Sequence, residues 1–365
     1  MMNLIVSTCG TSIFTADASP ETRKLLTDHA NAKSPSDIAP QALQAIQSHV
    51  KRCLAELATL TSISTLCQHS AEINGLASFY GGQLSGKDHH IFMATDTWLG
   101  EQAALAIAGV LQRHGQSTEV KRVQDLRTDD LPAYRCALSE LVQWAYTTLP
   151  EYRRNGYGVV FNLTGGFKAV QGFMQTLGML HADECVYVYE RSAQLIRLPR
   201  LPIKMQADSF VRDHLLQFRR MAMHLPVPSS AVRLVPEALL FVSESEAGLS
   251  EWGEMVWLEI KDEIYAGKLH PSPSAKVQWA DGFERSVQGL ERKRTQAINA
   301  KVDDLARFLE TGQSIKSLDF KSLKGGAIQG STHEIDAWSD GDAKRLYGHF
   351  EKDVFVLDRL AQALH

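Results

Sequence analysis

The sequence predicts an α/β protein: a domain with a parallel-rich sheet, then a helical stretch, then a small C-terminal α+β unit. Three observations carry this. Short apolar runs alternate with amphipathic segments from residue 1 to about 200, the signature of a parallel sheet covered on both faces. The pattern becomes helical after Leu198-Pro-Arg-Leu-Pro202. From Ile315 onward, short strand-like segments with Gly-rich or Asp-Gly turns take over.

The candidate strands of the first part are Asn3–Ser7, His90–Thr95, Glu119–Val123, Gly158–Asn162 and Cys185–Tyr189. Between them, Ala42–Leu60, Leu99–Arg113, Ala133–Thr148 and Phe167–His181 carry apolar residues at helical spacing. Residues 203–270 read as helices, including His214–His224 and Ser250–Tyr265. The His270-Pro-Ser-Pro-Ser274 turn marks a boundary. Gly282–Leu309 gives one or two helices, followed by strands at Leu318–Leu323, Thr332–Trp338, Arg345–Phe350 and Val354–Leu357, with a hairpin at Asp340-Gly341. The expected division is 1–202, 203–274 and 275–365.

Composition narrows the function classes. Of 365 residues, 44% are hydrophobic and 22% charged, as in ordinary soluble proteins. No apolar run approaches the ~20 residues of a membrane span, so no membrane partner is expected. The opening MMNLIVSTCG lacks a basic region and reads as a strand, not a signal peptide. Five cysteines without a CxxC pair argue against a disulfide framework or a zinc ribbon, and a reducing cytoplasm is the expected location. A net charge of −4 gives no global pull on nucleic acid, so RNA contact must be local and no DNA partner is expected.

Two loops carry the first candidate site. Strand one ends in Ser7-Thr-Cys-Gly-Thr-Ser12, where Gly10 allows close approach and Thr11 and Ser12 offer hydroxyl and N–H donors. Asn162-Leu-Thr-Gly-Gly-Phe-Lys168 then turns from strand to helix. Thr164, Gly165 and Gly166 expose backbone amides at a helix N-terminus, and Lys168 adds positive charge where the helix dipole disfavours it. An anion is the expected ligand. In Thr95-Asp-Thr97, Thr95 is a further ligand candidate, although Thr95 or Asp96 also suits a helix N-cap; Asn74 is another candidate.

Together, Ser7–Ser12, Thr95–Thr97 and Asn162–Lys168 resemble the CARF domain, the Rossmann-like CRISPR-associated sensor of cyclic oligoadenylates. The resemblance spans about residues 1–200. It implies a homodimer holding a cyclic oligoadenylate, commonly cyclic tetra-adenylate, across its two-fold axis, with Thr11, Ser12 and Lys168 on ribose and phosphates. Some members also open their ligand slowly, using its own 2′-hydroxyl and no metal.

In the C-terminal unit, strand alternation projects Arg345, Tyr347 and His349 from one face, near Lys321 and Lys324. Such groups can cleave RNA without a metal: a base activates the 2′-hydroxyl, cations stabilise the phosphorane and an acid protonates the leaving oxygen. A charged solvent face of a structural sheet is the plainer reading, because Asp336, Asp340, Asp342 and Asp353 are interleaved. The order Leu318–Gly325, Thr332–Ile335, Lys344–Tyr347 and Val354–Leu357 resembles the RelE family of messenger-RNA interferases over about residues 280–365. The resemblance implies that Lys321 and Lys324 line an RNA site, that Arg345 stabilises the scissile phosphate and that Arg359 is a second cation. The family's usual catalytic tail is replaced by Leu360–His365, leaving His349 and His365 as substitutes for the acid. A CARF–RelE fusion implies ligand-activated, metal-independent cutting of messenger RNA on ribosomes in CRISPR type III defence.

Two alternatives remain at this point. Arg219-Arg-Met-Ala-Met-His224 has the arginine-to-histidine spacing of HEPN ribonucleases. The chain is otherwise a non-enzymatic, ligand-controlled regulator.

Overall fold

The structure is a computed structural model that describes residues 2–84, 86–189, 194–202, 205–323 and 329–363. It forms two compact units, Met1–Lys204 and Met205–His365.

The first unit is built on a six-stranded sheet of order β3-β2-β1-β4-β5-β6. Its strands are β1 (Met2–Thr8), β2 (His89–Ala94), β3 (Ser117–Arg122), β4 (Tyr157–Asn162), β5 (Glu184–Val188) and β6 (Leu195–Pro199). All pairings are parallel except β5–β6. The five expected strands are present. Strand β6 was not expected, because Arg197 and Pro199 interrupt its apolar pattern. It sits at the sheet edge, where a proline without an N–H is tolerated, and Arg197 pairs there with Glu184 at 2.8 Å.

The helices are α1 (Ser12–Thr15), α2 (Pro20–Asp28), α3 (Pro40–Thr59), α4 (Ile63–His69), α5 (Ala71–Phe79), α6 (Trp98–Arg113), α7 (Leu131–Arg154) and α8 (Lys168–His181). The four expected helices correspond to α3, α6, α7 and α8. Helix α7 continues past Pro150 to Arg154. The short helices α2, α4 and α5 carry too few turns to show a periodic stripe, but each starts at a serine N-cap: Ser19, Ser62 and Ser70. Leu4, Ile5, Val6, Phe92, Val159, Phe161 and Val186 are buried, so the central strands have both faces covered.

The strand order fixes the location of the site. From β1 the sheet grows one way through β2 and the other way through β4. The crevice beyond the C-terminal ends of β1 and β4 is therefore a topological switch point, the usual ligand position in open parallel sheets.

The second unit contains α9 (Asp208–Asp213), α10 (Leu215–Ala222), the hairpin β7 (Leu240–Val242) and β8 (Ala247–Leu249), then α11 (Glu251–Gly267). Next come β9 (Val277–Trp279), α12 (Asp281–Val287), α13 (Arg292–Thr311), β10 (Lys321–Ser322), β11 (His333–Trp338), β12 (Lys344–Glu351) and β13 (Val354–Gln362). The sheet order is β10-β11-β12-β13-β9, antiparallel except for β13–β9. Most of the expected strand Leu318–Leu323 is lost: Lys316–Leu318 is a 3₁₀ turn and Asp319 is left-handed at φ 47°, leaving only Lys321–Ser322 paired.

The segment expected as a connector packs on α13 within this unit. Arg219 is 2% exposed; its guanidinium donates to Asp303 Oδ1 at 2.5 Å and to Pro271 O at 2.5 Å. The Tyr265 hydroxyl donates to the same carboxylate. Arg220 pairs with Glu310 at 2.8 Å, and Asn299 donates to Tyr265 O and Lys268 O. Arg219 is therefore a buried strut. His224 lies beyond the end of α10, left-handed at φ 56° and exposed. Arg220 and His224, the i,i+4 pair of the HEPN reading, therefore do not share one helical face.

Two measurements test the packing within each unit. Arg219→Ala leaves Asp303 buried without its cation and should lower the second unit's unfolding free energy by about 3–5 kcal/mol in urea titration; a loss under about 1 kcal/mol would contradict the strut. In the first unit, burial pushes His90 and His181 down to about 4. Unfolded histidines bind protons near pH ~6.5, so the unfolded state binds more protons below that value. First-unit stability should be complete above pH ~6.5 and fall as pH drops from there toward 4. A flat profile over that window would refute the assignment.

Candidate ligand site and candidate nuclease face

At the switch point the loops after β1 and β4 are fastened by a residue that the loop motifs do not contain. Glu72, in the first turn of α5, is fully buried. Its carboxylate accepts the Gly10 N–H at 2.7 Å, the Ser12 hydroxyl at 3.0 Å and the Ser70 hydroxyl at 2.8 Å. Asn162, at the end of β4, donates to Glu72 O at 3.1 Å and accepts from the Thr164 hydroxyl at 2.8 Å. Thr8 donates to Gly165 O at 2.5 Å. A Cβ at Gly165 would overlap the Glu72 carboxylate, and Gly166 adopts φ +104°, so both glycines are needed as they stand.

Several of the expected ligand donors have partners within the protein. Gly10 and Ser12 spend their donors on Glu72, and Gly165 packs against that carboxylate. The Thr164 hydroxyl is held by Asn162 and accepts the Val188 N–H at 3.2 Å. Thr95 is buried against the Thr97 hydroxyl at 3.0 Å. Thr97, not Thr95 or Asp96, caps α6 by accepting Gly100 N–H. Asp96 binds Arg122 at 2.9 Å and Lys33 at 3.1 Å. Burial raises the Asp96 carboxyl, but its bonds from the Asp125 N–H, Lys33 and Arg122 outweigh that and hold it below the usual range.

Thr11 and Gly166 are half-buried, and Lys168 is exposed at the first position of α8. The α8 N-cap, Phe167, offers no side-chain cap, and the first intrahelical bond is donated by Gln171. The first-turn amides of a 14-residue helix therefore lack a side-chain acceptor beside a lysine with no ion pair among the described residues. Glu72 could have been suspected from Ser70-Ala-Glu72, an acid just inside a capped helix start. Gly75 gave a second signal: a Cβ there would overlap Asn162 and Thr164.

In the second unit, Leu346 packs into the core with Ile335 and Leu360. Arg345, Tyr347 and His349 occupy the alternate positions of β12 and share the opposite face with Glu334 and Asp336, as the register requires. The cations are already matched with carboxylates. Arg345 pairs with Asp336; Lys321 pairs with Asp319 at 2.8 Å and lies 3.6 Å from Glu334. Arg359 lies over the Tyr347 ring at 5.3 Å. His349 meets Asp358 at 3.0 Å and Glu351 at 3.3 Å. Its hydrogen bond with Asp358 raises its pKa above the usual histidine value. His333 stacks on Phe320 at 5.1 Å on the core side. Lys324 and His365 lie outside the described residues.

The Glu72 fastening has a direct test. Glu72→Ala leaves the Gly10 N–H and two serine hydroxyls without their acceptor, at about 1–3 kcal/mol for each unsatisfied buried group. Denaturant unfolding of the first unit should show a loss of at least 2 kcal/mol on this basis; unchanged stability would remove Glu72 from its organising role.

Residues 67–201 match the family model of the CRISPR-associated protein Cas_APE2256, a stretch that contains Glu72, Thr95–Thr97 and Asn162–Lys168. No curated protein matches the chain. The family match associates this part of the chain with CRISPR function.

Proposed function

We propose that the first unit is a CARF-type sensor and the second a RelE-like endoribonuclease. A homodimer of first units binds a cyclic oligoadenylate, cyclic tetra-adenylate by preference, across its two-fold axis. Binding activates metal-independent cutting of ribosome-bound messenger RNA in the cytoplasm. The match to a CRISPR-associated family supports the setting.

One observation carries the sensor reading: the uncapped α8 N-terminus with exposed Lys168, at the switch point between β1 and β4. Amides and a lysine converging there suit a phosphodiester. Glu72 sets the loops from within, so the ligand meets Thr11, Gly166 and Lys168 at the rim rather than Gly10 or Ser12. Slow opening of the ring by its own 2′-hydroxyl is compatible with these contacts, which would position the phosphodiester and neutralise its charge.

The nuclease reading rests on Arg345 and His349, which share a face of β12 with the buried Tyr347 between them. Lys321 and Arg345 would exchange their carboxylate partners for RNA phosphates. That matching of cations to acids also favours a second reading, in which the unit is a non-enzymatic, ligand-controlled module.

Calorimetry with cyclic tetra-adenylate should show binding by the full chain, weakened by Lys168→Ala about 10- to 100-fold, the value of one charge-assisted contact. The same ligand should switch on cutting of ribosome-bound messenger RNA, and Arg345→Ala should weaken it about 10- to 100-fold, the value of one charge-assisted phosphate contact. Binding indifferent to Lys168→Ala would refute the sensor site. Ligand binding without any RNA cutting would favour the non-enzymatic module.

A further inference from the structure

Strand β13 contains one residue more than its partner allows. Tyr347 stands opposite Arg359 and Gly348 opposite Leu357, so Asp358 is the extra residue of a β-bulge. Bulges of this kind re-aim side chains. The core face of β13 runs through Phe355 and Leu357 and then resumes at Leu360, not at residue 359. The bulge thus turns Arg359 to the face of Tyr347 and His349. Asp358 is held there by the buried Ser331, whose hydroxyl donates to Oδ2 at 2.7 Å. Both Asp358 oxygens stand 3.0 Å from His349 Nδ1. His349 Nε2 is left facing Glu351 at 3.3 Å, and that carboxylate is largely exposed and displaceable. Asp358 on β13 and Glu351 on β12 are the charged groups that act on the imidazole.

We propose that His349 is the general acid of the nuclease face, with Asp358 as its positioning residue and Arg359 as the cation at the scissile phosphate. The inference rests on the endoribonuclease reading and deepens it. The substrate 2′-oxygen attacks phosphorus and releases its proton to water. A P–O2′ bond forms and the P–O5′ bond breaks. His349 Nε2 gives its proton to the departing 5′-oxygen, leaving a 2′,3′-cyclic phosphate, a 5′-hydroxyl and a neutral imidazole that water reprotonates. Asp358 at Nδ1 fixes the ring orientation and favours its charged form, as an acid donor requires. Arg359 stands opposite Tyr347, one diagonal step from His349 across the ladder, within reach of the same phosphate. Arg345, four positions from His349 along β12, then contacts a flanking phosphate.

The test uses the full chain with cyclic tetra-adenylate and a messenger oligonucleotide bound to ribosomes. The oligonucleotide carries either an ordinary linkage or a 5′-bridging phosphorothiolate at the cut. A sulfur leaving group needs no proton. His349→Ala should lose about 10²–10⁴-fold on the ordinary linkage and remain within about tenfold of wild type on the sulfur linkage. Asp358→Asn should move the alkaline limb of the rate profile down by about one pH unit, because a neighbouring negative charge is removed. Thermal unfolding confirms that each variant is folded. If wild type cuts but His349→Ala cuts the ordinary linkage equally well, or loses equally on both linkages, the inference is overturned and the nuclease reading stands. An unmoved alkaline limb in Asp358→Asn overturns the positioning role. If ligand-bound wild type cuts neither linkage, the nuclease reading fails and the inference falls with it.

Discussion

A buried carboxylate organises the first unit's ligand edge. Glu72 draws together the loop after β1, the start of α5 and the loop after β4 by accepting from Gly10, Ser12 and Ser70. A buried charge is tolerated only where hydrogen bonds replace its lost water, so these three segments hold one another in place. Glu72 also fixes the sign of what can follow. Its oxygens are taken up by donors of the loops, whereas the first-turn amides of α8 have no side-chain cap and Lys168 is exposed. An anion placed against Gly10 would compete with Glu72; an anion at the α8 rim would not.

The second unit solves a related problem on a sheet face. Several of its cations stand against acids: Arg345 with Asp336, Lys321 with Asp319 and His349 with Asp358. Such a face does not attract a polyanion strongly by itself. The buried pair Arg219–Asp303 shows the opposite use of charge. There the pair, with Tyr265, locks the helices Leu215–Ala222 and Arg292–Thr311 into one body.

The parallel sheet was legible because each strand is a short apolar run between strong helical stripes. Strand β6 was not, since an edge strand may carry Arg197 and Pro199 without cost to the core. In the site, the glycine turn and Lys168 could be read because glycines at a strand-to-helix junction have few other uses. Glu72 was missed because an acid in a helix's first turn is ordinarily a capping or dipole feature; only the fold brings it beneath loops distant in sequence. The cap of α6 was misplaced for the reverse reason: Thr95, Asp96 and Thr97 all suit a helix start, and Thr97 took it. The shared face of Arg345, Tyr347 and His349 followed from strand alternation alone, whereas the bulge at Asp358 depends on pairing with β12 and left no mark in the local pattern.

The proposed sensor receives its anionic cyclic nucleotide at the start of α8, not at the Glu72-bound inner loop. Backbone amide resonances of the full chain, followed as cyclic tetra-adenylate is added, test it most directly. The Gly166, Lys168 and Ala169 amides should shift strongly while the Gly10 amide, already bonded to Glu72, stays nearly still. A titration that moves Gly10 and leaves the α8 amides unchanged, or moves neither, would contradict it.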